Sequence, residues 1–159
     1  MTETDLDVVT TIHLESFPPD GRTTRDVAEA QMRDELARAW SFVRVIEVDG
    51  AVVGFCLFWK VVDELHLLDV AVLPAARRRG LGERLVVDML GIARGAGART
   101  VFLEVRRSNQ PAIGLYRKLG FWASGVRAGY YADGEDAVEM TLGLDGAGLV
   151  VPHEDEVAL

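Results

Sequence analysis

One stretch of this chain constrains its fold more than any other. From Leu65 to Leu73 apolar residues recur as in a strand, and Gly80-Leu81-Gly82 then opens a helical periodicity that runs to about Arg94. Gly95-Ala96-Gly97 stops that helix, and Thr100 to Val105 is again a strand. Two strands joined by a helix in so short a span form a crossover unit, which makes the strands parallel and the connection right-handed. A sheet must therefore lie at the centre, with at least one helix packed on it.

The flanking segments say how that sheet is completed. Asp5 to Phe17 places Leu6, Val9 and Ile12 at helical spacing, Pro18-Pro19-Asp20-Gly21 is a stop, and Asp26 to Trp40 reads as a second amphipathic helix. Phe42 to Val48 and Val52 to Val62 read as strands joined by Asp49-Gly50, a strong hairpin signal. Downstream, Asn109 to Leu119 is a helix closed by Gly120, and Phe121 to Tyr130 and Ala137 to Leu142 are strands flanking a turn at Asp133-Gly134. The order is α-α-β-β-β-α-β-α-β-β, six strands and four helices. The hairpins make the sheet mixed and mostly antiparallel, so the class is α/β of a mixed α+β kind. A chain of 159 residues is the size of one domain. Residues 1–143 are expected to form it, with 144–159 an acidic, loose tail.

Composition narrows the partners. With 25 acidic and 17 basic side chains the formal charge is −8, which disfavours nucleic acid and anionic lipid and suits a cationic partner. The single cysteine, Cys56, cannot form an internal disulfide and lies in the apolar run Gly54 to Phe58, where it reads as a packing residue. His13 and His153 have no ligand spacing, so no metal is expected. No run of 18 apolar residues is present and the acidic start is unlike a signal peptide, so the expectation is a cytoplasmic protein without a membrane segment.

The sharpest local signal is Val70-Ala71-Val72-Leu73-Pro74-Ala75-Ala76-Arg77-Arg78-Arg79-Gly80-Leu81-Gly82. Backbone N–H groups and the dipole at a helix start attract anions, glycines let a pyrophosphate approach, and the arginines add charge. No Gly-Lys-Ser/Thr follows, and position 85 is Leu, so neither a Walker loop nor the dinucleotide fingerprint is present. The alternative is a basic surface turn that caps a helix.

Arg77-x-x-Gly80-x-Gly82 after a Val-Ala-Val strand resembles the signature with which the GCN5-related N-acetyltransferases (GNAT) bind the pyrophosphate of acetyl-coenzyme A. Leu103-Glu104-Val105-Arg106, Ser108-Asn109 and Ala112 to Phe121 look like the next strand and helix of that superfamily. Together with Tyr130-Tyr131 and Glu135-Asp136-Ala137 they are similar to the ribosomal-protein-alanine N-acetyltransferase subgroup. The resemblance covers residues 42 to 142 and is dense from 64 to 121. It departs in three places: the first strand usual in relatives is absent, the Trp that often follows Phe17-Pro18 is missing, and Gly129 stands where an Asn often precedes the tyrosine pair. The hairpin strand 42–48 would then be a sheet edge, for which Leu149-Val150-Val151 is one candidate cover.

The resemblance implies the GNAT fold and gives candidate residues their roles. Val70, Ala71 and Val72 would lie along the pantetheine, and Arg77, Arg78, Arg79, Gly80, Leu81 and Gly82 would hold the pyrophosphate. Asn109 would be a cofactor contact or a plain helix cap. On the strand 100–106, Phe102, Glu104 and Arg106 share one face and Val101, Leu103 and Val105 the other. Glu104 is a solvated carboxylate or, as the subgroup implies, the base that takes the proton of the acceptor ammonium. Tyr116 packs in the stripe Ala112, Leu115, Tyr116, Leu119 and, by resemblance, protonates the departing thiolate and touches the cofactor. Glu64, His66, Tyr130 and Tyr131 would be on the acceptor side, with His66 equally a satisfied strand histidine.

The expected function is an acetyl-coenzyme A-dependent N-acetyltransferase acting on a protein amino terminus, with ribosomal protein as the family precedent. Acetylation of a small amine (polyamine, aminoglycoside or amino acid) is the enzyme alternative. A non-catalytic acyl-coenzyme A sensor is the other, and the pairing of Glu104 with Tyr116 argues against it.

Overall fold

Asp49 and Gly50 both take left-handed φ angles, 53° and 79°, the combination that closes a two-residue hairpin with the twist of its strands. The turn joins β1 (Ser41–Val48) to β2 (Ala51–Val61), which pair antiparallel from Ser41↔Trp59 to Val48↔Ala51. The computed structural model describes residues 1–17, 24–153 and 156–158. They form two compact units, Met1–Trp59 with Leu68–Met89, and Lys60–Leu67 with Leu90–Leu159. Seven strands and four α-helices are described in all.

In the first unit, α1 (Leu6–Ser16) and α2 (Arg25–Ala37) supply Leu6, Val9, Ile12 and Met32 to a core completed by Val43, Phe55, Leu57 and Ala71. Thr24 caps α2 by accepting from Val27 N–H. The helix ends at Ala37, short of the expected Trp40, because Arg38 turns to extended backbone. Glu35 then collects Arg38, Ser41 Oγ at 2.7 Å and Trp59 Nε1 at 2.6 Å. These contacts hold the connection into β1 in a form that helix propensity does not encode. The expected stop at residues 18–21 lies outside the described residues. Met1 to Thr4 form no strand; the chain enters α1 through a 3₁₀ turn at Glu3–Asp5.

The second unit contains the start of β3 (Glu64–Val72), parallel to β4 (Thr100–Arg106) from Glu64↔Thr100 to Leu67↔Leu103. β4 is antiparallel to β6 (Ala137–Leu144), and β6 to β5 (Trp122–Arg127). Val101, Leu103 and Val105 are buried and Phe102, Glu104 and Arg106 are only partly covered, the alternation the sequence predicts. Burial of such a side chain contributes roughly 1.5–3 kcal/mol. α3 (Leu81–Gly95) reaches the second unit at its C-terminal end, where Gly97 turns the chain at φ 70°. α4 (Gln110–Lys118) ends at Gly120 with φ 98°, the left-handed cap expected of it.

The C-terminal segment differs from the loose tail that its composition suggests. Val150–Val151 form β7, antiparallel to β6 through Gly143↔Val151 and Leu144↔Val150. Beyond it Trp122 stacks on His153 at 4.3 Å and Arg117 pairs with Glu156 at 2.6 Å. Val150 and Val151 therefore take the ladder of β6 and not that of β1. β6 is longer than β5, so its last residues have free ladder positions that a short apolar strand satisfies.

Candidate active site

The first unit builds its candidate anion loop from backbone. After β3, a 3₁₀ turn at Pro74–Ala76 leads into Arg77, whose Nε donates to Val72 O at 2.8 Å and so ties the loop to the strand end. Arg78 (φ 58°) and Gly80 (φ 73°) both take left-handed backbone, winding the chain into the start of α3. The bond from Arg84 N–H to Gly80 O closes the first turn at 3.0 Å, so the N–H groups of Leu81 and Gly82 precede the helical ladder. A Cβ at Gly80 or Gly82 would meet nothing within 4 Å. These glycines are thus not demanded by internal packing; Gly80 is demanded by its φ, and both leave the backbone approachable. Arg78 and Arg79 form no ion pair among the described residues. A surface depression of about 630 Å³ is lined by Arg79, Gly80, Glu83, Arg84, Val87 and Asp88. Free N–H donors, unpaired guanidinium groups and room for a ligand fit a pyrophosphate, the group expected here. Val70, Ala71 and Val72 occupy the strand leading in, with Ala71 O only 2.7 Å from where a Cβ on Gly54 would sit. That approach explains the glycine in the middle of β2.

The second unit builds its chemistry from side chains. Glu104, on the open face of β4, accepts a hydrogen bond from Arg127 at the end of β5. The Arg127 guanidinium lies 4.3 Å over the Tyr130 ring. The Glu104 carboxylate raises the Tyr130 phenol above its ordinary range and, through its bond with Arg127, holds that guanidinium charged. Tyr131 meets Tyr130 edge-on at 5.2 Å and carries the Arg106 guanidinium 3.9 Å over its own ring. Burial is the main cause that raises the Tyr131 phenol.

This tyrosine pair stands on an anchored loop. Arg106 pairs with Asp133 at 2.9 Å and with Glu135 at 2.6 Å. Glu135 also accepts from Ser108 N–H at 2.8 Å, and these bonds hold its carboxyl down at about 2. Gly134, at φ 85°, closes the turn by donating to Tyr131 O. The loop between β5 and β6 is thereby stapled to the end of β4, the strand that carries Glu104.

The remaining candidates sort clearly. Tyr116 is a core residue by its ring, 8% exposed and 5.7 Å from Phe121, in a stripe that also includes buried Ile113. Asn109 is the N-cap of α4, with Oδ1 accepting from Ala112 N–H at 3.3 Å. His66 pairs with Glu64 at 2.9 Å and lies 5.3 Å from the Phe102 ring, its register neighbour on β4 and a residue of the same face as Glu104. Cys56 is fully buried, and burial pushes its thiol well above its ordinary range, as in a packing residue. Sequence reasoning missed Arg127 and Glu139 as neighbours of Glu104, and Arg127 and Arg106 as partners of the tyrosine rings. Their signal lies in strand register: Glu104 is opposite Glu139, Glu139 is opposite Gly125, and Arg127 is two residues on.

Residues 6–121 match the model of the acetyltransferase (GNAT) family. A Bacillus subtilis (strain 168) protein provisionally named [ribosomal protein bS18]-alanine N-acetyltransferase is 36% identical over 137 residues, 86% of this chain and 87% of that one. The Escherichia coli K12 [ribosomal protein bS18]-alanine N-acetyltransferase is 40% identical over 97 residues, 59% of this chain and 66% of its own. The crystal structure of the E. coli ribosomal-protein-S18-alanine N-acetyltransferase superposes with a TM-score of 0.78 at 29% identity, covering 100% of this chain and 96% of that one. A match that spans the crossover unit, the candidate anion loop and α4 places this chain in the GNAT family and makes it an acyltransferase.

Proposed function

We propose that this protein transfers the acetyl group of acetyl-coenzyme A to the α-amine of a protein amino terminus, by direct attack in a ternary complex. The observation that carries the acceptor side is the cluster Glu104–Tyr130–Tyr131: a carboxylate on an open strand face, beside two aromatic rings on a stapled loop. Such a surface suits a peptide, whose amino terminus is cationic and whose next residues can lie on the rings. Glu64 and His66 extend the same acceptor surface along β3. The names of the relatives support a ribosomal protein as the acceptor.

The roles follow from the chemistry. The backbone of Arg77 to Gly82 and the guanidinium groups of Arg78 and Arg79 hold the pyrophosphate, and Val70 to Val72 accompany the pantetheine. Asn109 adds a contact from its amide nitrogen, since its oxygen is spent on the cap. Glu104 accepts a proton from the acceptor ammonium, and the freed nitrogen attacks the thioester carbon. Val72 N–H donates to the carbonyl oxygen as charge builds there, a contribution of about 2.7–4 kcal/mol for a fixed donor. The C–N bond forms, the C–S bond breaks, and the Tyr116 hydroxyl protonates the thiolate. The second proton shed by the nitrogen restores the phenol through solvent, and Glu104 releases its own proton to solvent. The test is a panel of amino-terminal peptides against polyamines, aminoglycosides and free amino acids, with labelled acetyl-coenzyme A. Label is expected on peptides at the α-nitrogen; label only on small amines, or a trapped acetyl-protein, would overturn the reading.

A further inference from the structure

Glu104 does not stand ready for a proton; it is already occupied. The Arg127 guanidinium donates to its Oε1 while resting on the face of Tyr130, so an internal cation sits between a carboxylate and an aromatic ring. We propose that Arg127 is a built-in stand-in for the acceptor's ammonium, a latch that the incoming amino terminus must displace from Glu104 before transfer.

Register explains how the latch reaches. β6 lies between β4 and β5, with Glu104 opposite Glu139 and Glu139 opposite Gly125. Gly125 carries no side chain, and the Glu139 carboxylate folds over the space this leaves. Arg127, two residues further on, crosses diagonally over β6 to Glu104. Two carboxylates directly opposite one another repel, and the Arg127 guanidinium pairs with one of them, Glu104; Glu139 makes no ion pair among the described residues. The face therefore keeps excess negative charge even with the latch closed, and a second cation is favoured there. Arg127 and Glu104 are half and about a third exposed, 50% and 30%, so their contact is an exposed pair of the kind a competing cation can replace. When displaced, Arg127 still has the Tyr130 ring to rest on. Acceptors of this class are peptides with a free, protonated amino terminus.

The inference rests on Glu104 being the base, and the experiment separates the two. Steady-state kinetics are compared for wild type, R127M, R127K and E104Q, with an acceptor peptide and with the same peptide carrying an α-hydroxyl in place of the amine as a competitive inhibitor. In R127M the KM for the peptide should fall about two- to fivefold, the factor corresponding to an exposed ion pair. The KM for acetyl-coenzyme A and the inhibition constant of the uncharged analogue should not move, and R127K should behave as wild type. An unchanged or raised peptide KM in R127M, or an equal shift for the uncharged analogue, overturns the latch. If E104Q turns over like wild type, the base assignment itself falls, and the latch with it; if E104Q is slow while R127M is unchanged, only the latch falls.

Discussion

The loop at Arg77–Gly82 and the cluster around Glu104 are built on opposite principles. The first is made of backbone: two left-handed φ angles, helix-start N–H groups ahead of the ladder, and Arg78 and Arg79, which form no ion pair among the described residues. The second is made of side chains from the strands and a loop: Arg127 pairs with Glu104, and Arg106 is shared between Asp133 and Glu135, so every charge has a partner although the carboxylates outnumber the guanidinium groups. The contrast fits the two tasks. A pyrophosphate is a strong fixed anion that backbone donors can wait for without a partner. On the proposed reading, the carboxylate that is to accept a proton is kept company until the acceptor arrives.

Crossed substitutions should break the two apart with the largest effects. Glu104→Gln is expected to slow turnover about 10²–10⁴-fold, the usual contribution of a positioned base. The rise in melting temperature on adding acetyl-coenzyme A should persist. Gly80→Val does the reverse: it strains a left-handed position at a cost of about 1–2 kcal/mol and fills space that is open in the fold. The folded protein should then show no rise in melting temperature with acetyl-coenzyme A. Loss of both properties in either variant would mean the two regions are not separable.

A smaller effect comes from placing one methyl group in each region. At Gly54 a Cβ meets the Ala71 carbonyl oxygen at 2.7 Å, a backbone atom that cannot step aside. Gly54→Ala should cost about 1–3 kcal/mol in denaturant unfolding, as overpacking does. At Gly125 the Cβ would overlap only the end of the Glu139 side chain, which can swing away. Gly125→Ala should lie within about 0.5 kcal/mol of wild type. Equal costs would remove the distinction between a backbone-built and a side-chain-built region.

The smallest effect is one of pH. The Glu135 carboxyl is lowered from 4.5 to about 2 by its Ser108 and Arg106 bonds. A depressed carboxyl stabilises the fold fully above its unfolded value and loses that contribution as pH falls through the folded one. Glu135→Gln should therefore be slightly less stable than wild type at neutral pH. The gap in urea midpoint should close between pH 4.5 and 2, and a gap independent of pH would show that the staple is not ionic.

The sequence by itself determined the features that neighbouring residues specify. Asp49-Gly50 is a hairpin because two left-handed residues in succession suit Asp and Gly. Alternation put Glu104 on the open face of its strand, and glycines after a strand marked the left-handed turn into α3. These are local properties of φ preference, period and helix capping. Tertiary structure alone decided that 150–151 join β6, that α2 stops at Ala37 under contacts from Glu35, and that Arg127 reaches Glu104. Each depends on which strands become neighbours, and residues 104 and 127 meet only because β4 and β5 both pair with β6. Cross-strand partners are fixed by the free energy of assembling the whole sheet, and no window of neighbouring residues carries that quantity.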